Sequence, residues 1–161
     1  MGSSQLLTAS AGLKRVIVAK INPNKDLLVT IEELAIEKNI KSGIILSGVG
    51  SLKRAILRNL IHFPEHFPIT AKNRLYKTIE GPLEILSLTG NILQREDGKL
   101  VVHAHICLSS VQGNKIVTLG GHLVEGCITY VKVEIAIAEL RNMKLKRRLH
   151  YETKAWELSL G

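Results

Sequence analysis

The chain has 161 residues and a formal net charge of +8, and 45% of its residues are apolar while only 4% are aromatic. This length is typical of a single domain that buries its own core, so a scaffold of disulfides or structural metals is not needed for folding. The two cysteines, Cys107 and Cys127, form no C-x-x-C pair, which excludes a zinc knuckle and a thioredoxin-like motif and predicts reduced core thiols.

The first residues lack the features of a targeting segment. Residues 1–5 do not combine basic charge with an apolar run, and Leu6 stands where a myristoylation motif has Ser or Thr. No apolar stretch reaches the length needed to cross a bilayer. We therefore expect a cytoplasmic protein without a membrane partner, with a flexible segment over residues 1–12 and one domain over residues 13–158.

In chain order, a short strand precedes the main helix. Residues 16–21 are rich in β-branched side chains and predict the first strand. Asn24 or Asp26 can cap a helix that ends near Lys38-Asn39. The apolar residues between these points recur at helical spacing and predict one stripe packed on a sheet: Leu27, Leu28, Ile31, Leu34 and Ala35.

The rest of the chain is predicted to be mostly strand. Gly48 and Gly50 predict a bulge or a close backbone approach, residues 60–71 form a proline-containing loop, and Gly81-Pro82 predicts a sharp break. Many short strands and one helix indicate an α+β fold with a mostly antiparallel sheet and a single main helix packed on it. The predicted strands cover residues 43–49, 51–58, 74–80, 83–92, 100–109, 116–123 and 127–140.

The segment over residues 100–123 carries the strongest chemical signal. His103 and His105 alternate with apolar residues, so both imidazoles point from one face of a strand, roughly 6–7 Å apart. A turn at residues 112–114 predicts a hairpin that returns His122 to the same region, and Gly120-Gly121 leaves room for the approach. Imidazole nitrogens bind metal ions at about 2.0–2.1 Å, so we predict a metal site of His103, His105 and His122.

Two interpretations of the three histidines remain open. In the first they are satisfied or exposed polar side chains of a sheet; in the second they hold a divalent metal, with zinc as the default and nickel, copper or iron also open. Three protein ligands leave a fourth position for water or substrate, as catalytic sites do. Glu84 is then the candidate general base, because it is the lone carboxylate in an apolar strand where burial would raise its pKa. The alternative for Glu84 is a structural carboxylate.

The basic run near the C-terminus is interpreted as a solvated charged surface. Five basic residues lie between Arg141 and Arg148, but aromatic partners for nucleic-acid bases are scarce. Tyr151 and Trp156 are expected to pack the tail onto the domain.

Four blocks together resemble one known family, the plants-and-prokaryotes conserved domain, in its stand-alone prokaryotic type. Residues 44–52 (I-I-L-S-G-V-G-S-L) are similar to its G-x-G-S strand, and residues 81–92 to its strand containing E-I-L-S-L. His103-x-His105 with Gly120-Gly121-His122-Leu123 matches its H-x-H and G-G-H-L pattern, and residues 146–158 resemble its ending. Near the helix, Asn24-Lys25-Asp26 departs from the Gly-Glu-Asp often found in the family.

The resemblance implies an α+β domain that assembles as a homotrimer. In plants this domain follows an AT-hook that binds DNA, whereas this chain has no Arg-Gly-Arg-Pro hook. Two functional hypotheses follow. One is a metal-binding regulatory module with DNA as partner; the other is a metal-dependent enzyme that uses the same histidines with Glu84 to activate water or a small-molecule ligand.

Overall fold

The computed structural model describes residues 6–142 and 145–160. Of the predicted flexible segment, residues 1–5 lie outside this range, residues 6–11 are exposed and form no regular element, and Gly12 begins the first strand. The elements in chain order are β1 (Gly12–Ile21), α1 (Leu27–Glu37), β2 (Ser42–Leu60), a 3-10 helix (Ala71–Asn73), β3 (Arg74–Arg95), β4 (Leu100–Gln112), β5 (Lys115–Leu123), β6 (Ile128–Arg141), β7 (Lys146–Leu149) and β8 (Trp156–Ser159).

Helix α1 forms where its apolar spacing predicts it. The side chain of Asp26, and not that of Asn24, accepts a hydrogen bond from the Val29 amide at 3.2 Å and caps the N-terminus. The helix ends at Glu37 with Lys38 as C-cap, and Asn39 follows in the left-handed region with a φ of 51°. Its buried side chains, Leu27, Ile31 and Ala35, pack against the sheet.

The strands form one sheet in the order β1-β6-β2-β5-β4-β3-β7-β8, with an additional pairing between β2 and β3. Strand β2 therefore pairs with both β3 and β5, and β2, β3, β4 and β5 form a closed ring of paired strands. Among the described strands, only the short β3–β7 pairing is parallel. The predicted mostly antiparallel sheet with a single main helix is thus confirmed for the described residues.

The predicted break at Gly81-Pro82 is wrong, because β3 runs through it without interruption. The register shifts there: Leu52 pairs with Leu83 and Arg54 with Glu80, which leaves Gly81 and Pro82 opposite Lys53 in a bulge. A bulge needs no ladder hydrogen bond from proline, and a Cβ at Gly81 would lie 2.6 Å from the Leu52 carbonyl oxygen. Strand β2 also continues through Gly48 and Gly50, and the close backbone approach predicted there is confirmed, since a Cβ at Gly50 would clash with the Lys132 carbonyl oxygen.

The core lies between α1 and the inner face of the closed strand ring, and it is aliphatic as predicted. On β4 the inner face consists of Val102, Ala104, Ile106 and Leu108, none more than 7% exposed. Cys127 is a buried thiol in this core, whereas Cys107 is only half-buried and lies on the outer face of β4. Among the described helices, none is both long and apolar enough to cross a bilayer.

The basic run near the C-terminus is only in part the solvated surface that the sequence predicts. Strands β7 and β8 pair with each other, and β7 adds to the end of β3. Arg147 is only 6% exposed, and Lys144 lies outside the described residues. Trp156 packs under the Arg95 guanidinium at 3.6 Å, but Tyr151 is 83% exposed and does not pack on the domain.

Candidate metal centre

The register of the closed ring brings the three predicted histidines to one place. His105 on β4 pairs directly with His122 on β5, and His103 lies two residues earlier on the same face of β4. The glycines before His122 allow β5 to approach its neighbours closely. A Cβ at Gly121 would meet the Asn59 side chain at 2.7 Å, and Asn59 donates a hydrogen bond to the Gly120 carbonyl.

The three rings converge as a metal site requires. One ring nitrogen from each histidine lies within 4.8 Å of the others, and the ring centroids are 4.8–5.6 Å apart. Nε2 of His105 and Nδ1 of His122 are 3.4 Å apart. Two nitrogen ligands of a tetrahedral ion, each at about 2.0–2.1 Å, also lie about 3.4 Å apart. The His105–His122 pair thus has the spacing of two metal ligands, and three imidazoles are a donor set that divalent metals such as zinc accept, with an open position left for another ligand.

Arg147, which lies in the C-terminal tail, forms a hydrogen bond to His103. Its guanidinium donates to Nδ1 of His103 at 2.8 Å, to Oδ1 of Asn91 at 2.7 Å and to the Trp156 carbonyl at 2.8 Å. Asn91 pairs with His103 across β3 and β4, so the guanidinium joins two strands and the β7–β8 hairpin. Since Nδ1 of His103 accepts this bond, the neutral ring carries its proton on Nε2. Ligation by His103 thus requires the metal to displace Arg147 from Nδ1, or the proton to move from Nε2 once Arg147 withdraws.

The surroundings keep two of the imidazoles neutral. Burial lowers the pKa of His122 to about 3, and the positive charge of Arg58 adds to this effect. Burial, followed by the charge of Arg147, also lowers the pKa of His103. Both rings are therefore uncharged at neutral pH, as metal ligation by imidazole requires, but the Nδ1 lone pair of His103 stays engaged by Arg147 until that contact is broken.

A cleft of about 390 Å³ opens beside the histidines. Its lining includes His105 and His122 together with two arginines, Arg58 of β2 and Arg74 of β3. Arg58 pairs with His122 across β2 and β5, which places the guanidinium next to the imidazole. The remaining lining residues are Asn59, Leu60 and Ile69.

Glu84 lies on the outer face of β3, where it pairs with Ser109 of β4. Ser109 is four residues along β4 from His105, about 13 Å at the usual rise of a strand. Glu84 is exposed, so the burial expected for it is not found, because nothing in the described chain covers this part of the outer face. Within one chain the structure brings together His103, His105 and His122, but it does not bring Glu84 to them.

Arg58, Arg74, Asn91 and Arg147 are site residues that sequence reasoning missed. Each lies on a different strand segment from the histidines, and only the strand pairing places it beside them. Arg147 stands between Lys146 and Arg148 in a basic run, so nothing in the sequence indicated that its side chain is buried. For Arg58, the alternation along β2 could have indicated that the side chain faces outward. It could not have indicated that His122 lies beside it.

Comparisons with known proteins agree with this architecture. A family model described as the Plants and Prokaryotes Conserved (PCC) domain matches residues 8–141. The bifunctional protein GlmU of Synechococcus sp. (strain JA-3-3Ab) is 32% identical over 149 residues, which cover 92% of this chain. The chain spans only about a fifth of the length of the curated relatives it matches, 21% in this case.

Solved structures share the fold over nearly the whole chain. A plant- and prokaryote-conserved (PPC) protein from Pyrococcus horikoshii is 28% identical with a TM-score of 0.74, covering 97% of this chain and 99% of that one. A protein from Archaeoglobus fulgidus, described as metal-containing, is 24% identical with a TM-score of 0.74 and covers 96% and 99%. A protein from Bacteroides thetaiotaomicron, provisionally assigned as DNA-binding, is 23% identical with a TM-score of 0.73 and covers 93% and 97%.

Proposed function

Because the chain belongs to the Plants and Prokaryotes Conserved domain family, we propose that it is a metal-binding member in which His103, His105 and His122 hold one divalent cation. The observation that carries the proposal is the convergence of three ring nitrogens within 4.8 Å. Zinc is the first candidate, because it favours four ligands and binds imidazole without a strong geometric demand. The Archaeoglobus fulgidus protein of the same fold is described as metal-containing, which supports the proposal.

Metal analysis of the purified protein tests this centre. We expect about one equivalent of metal per chain after dialysis against zinc, measured by plasma mass spectrometry. His122→Ala should lose it, because two remaining imidazoles bind a cation far more weakly. His66→Ala is the matched control, since His66 is exposed and lies outside the cluster. Equal metal content in His122→Ala and the unchanged protein would contradict the proposal.

A homotrimer is proposed as the assembly. Several large apolar side chains stay exposed on the outer face of the sheet, including Val18 (76%), Val49 (64%) and Leu86 (56%). Apolar patches of this kind mark protein interfaces. Light scattering should give three times the chain mass, and the double substitution Val49→Glu with Leu86→Glu should reduce it. A monomeric mass for the unchanged protein would exclude this assembly.

A role as a DNA-binding regulatory module is proposed in addition, on the net charge of +8 and the provisional assignment of a structural neighbour. The buried Arg147 and the Arg148–Glu96 salt bridge remove two charges from the basic run, so other exposed cations would have to contact the phosphates. Duplex binding measured at several salt concentrations should weaken steeply as salt rises. Absence of any duplex binding at low salt would exclude this role.

The alternative function is a metal-dependent enzyme, favoured by the cleft beside the open metal position. A metal-bound water of lowered pKa would supply the nucleophile. Glu84 is distant from the histidines of its own chain. A role as general base therefore requires it to lie beside the three-histidine metal centre of a neighbouring subunit. A screen of hydrolase substrates should then show activity that a chelator abolishes and that Glu84→Gln reduces. Full activity of Glu84→Gln would remove this residue from the reaction.

A further inference from the structure

The charged side chains beside the three histidines are predominantly positive. Arg58 and Arg74 line the cleft, and Arg147 contacts His103. Among the described residues, neither Arg58 nor Arg74 forms a salt bridge or side-chain hydrogen bond, and the partners of Arg147 are all neutral. The histidine cluster contains no carboxylate. Three guanidinium groups thus face a neutral donor set.

This arrangement is unusual for a site that holds only a cation. A divalent ion on three neutral imidazoles keeps its full charge, and each nearby guanidinium raises the electrostatic cost of binding it. Guanidinium groups in clefts are suited to bidentate bonds with carboxylate and phosphate oxygens. An anion on the open metal position would offset both the charge of the metal and that of the arginines.

We propose that the cleft binds a small organic oxyanion, a carboxylate or a phosphate monoester, held between Arg58, Arg74 and the metal ion of the three-histidine centre. The inference rests on the metal site proposed above and names the ligand class of that site. Metal and oxyanion bind cooperatively, and each raises the affinity of the site for the other by the same factor.

The space available matches a small ligand. The cleft of about 390 Å³ lies at the lower end of the range for small-molecule sites, roughly 300–1,000 Å³. A shallower adjoining cleft shares Arg58 and His122 and extends to the exposed carboxylate of Glu125, which forms no salt bridge to Arg58. The charged group of the ligand therefore lies at the arginines, and its body can extend along this second surface.

Cobalt(II) binding to the full-length, metal-free protein tests the proposal, because the visible bands of cobalt report its ligands directly. Affinity is measured by competition with a chromophoric chelator in three parallel series that contain benzoate, phenyl phosphate or the neutral benzamide. We expect benzoate or phenyl phosphate to raise cobalt affinity by about tenfold and to shift the bands. Benzamide should do neither. A response to one anion only identifies the headgroup as carboxylate or phosphate.

Arg58→Gln and Arg74→Gln separate an anion-binding role from a structural one. Each variant should lose most of the anion effect. Each should also bind cobalt more tightly than the unchanged protein when no anion is added, because one repelling charge is gone; a merely structural arginine would lower that affinity instead. Arg141→Gln is the matched control, since it removes the same charge at an exposed position at the end of β6.

The outcomes distinguish the two proposals. Cobalt binding that is unaffected by both anions overturns the oxyanion inference and leaves the metal site intact. An anion effect that persists in both arginine variants also overturns it. If the unchanged protein binds no cobalt or zinc under any condition, the metal centre itself fails, and this inference fails with it.

Discussion

The two faces of strand β4 differ in what determines them. The inner face places Val102, Ala104 and Ile106 in a core covered by α1, and burial of apolar area is enough to select it. The outer face places His103 and His105 among side chains from distant segments, such as Arg147, which is 44 residues from His103. One alternating sequence therefore encodes a stabilising surface and a chemical surface, and only the second depends on which strands become neighbours.

Removing a core side chain from β4 should have the largest effect on stability. Ile106 is 2% exposed, so Ile106→Ala should lower the free energy of unfolding by about 2–5 kcal/mol. Urea titration followed by circular dichroism measures this. Val111→Ala is the control on the same strand: Val111 is 67% exposed, and its change should stay within about 0.5 kcal/mol. The metal content of the molecules that remain folded should be unchanged, and a selective loss of metal in Ile106→Ala would show that the two faces are not independent.

Acid should lower the free energy of unfolding of the metal-free protein through His122 on the outer face. The pKa of His122 is about 3 in the folded chain, whereas an unfolded chain protonates its histidines near pH 6.5. The unfolded state thus binds a proton that the folded state excludes, and stability falls as the pH drops from about 6.5 towards 3. Above pH 6.5 this residue makes no contribution, because it is neutral in both states.

Nuclear magnetic resonance titration of the ring protons, with a chelator present, checks this expectation. The His122 signal should stay that of a neutral imidazole until well below pH 5. His122→Gln should flatten the decline of stability between pH 6.5 and 4. A His122 titration near pH 6.5 would show that the ring is not shielded as the structure indicates.

Two adjacent arginines should respond differently to the same substitution. Arg147→Gln leaves Asn91 and the Trp156 carbonyl without their buried donor, and it should cost about 1–3 kcal/mol. Arg148→Gln removes a solvent-exposed pair with Glu96 and should cost less than about 1 kcal/mol. Thermal unfolding, together with faster amide exchange in β7 and β8 of Arg147→Gln, provides the measurement. Equal effects at the two positions would mean that the tail is not anchored through Arg147.

The smallest predicted effect concerns the helix that covers the inner face. Asp26→Ala removes the cap of α1 and the acceptor of the Gly126 amide, and it should cost about 0.5–2 kcal/mol. Asp26→Asn keeps an oxygen for the Val29 amide but places an NH2 group, which cannot accept, at the Gly126 amide, so it should recover only part of the lost stability. Chemical denaturation of both variants tests this, and equal losses would indicate that the bond from the Val29 amide to the capping oxygen does not stabilise the helix.

Local patterns predicted the elements well where they agreed with tertiary packing. The helical stripe from Leu27 to Ala35 and the alternation on β4 both appear as predicted. The prediction failed at Gly81-Pro82, because a bulge opposite Lys53 removes the need for a proline N–H. It also failed for the burial of Glu84, since an apolar strand sequence does not reveal which face stays uncovered.

The sequence by itself determined the α+β class, the position of α1 and the direction in which His103 and His105 point, since these follow from periodicity and capping within a few residues. Only the tertiary structure decided that Arg58, Arg74 and Arg147 surround the histidines. Strand register brings together residues that are far apart in the chain, and the energy that selects that register is spread over the whole sheet and core.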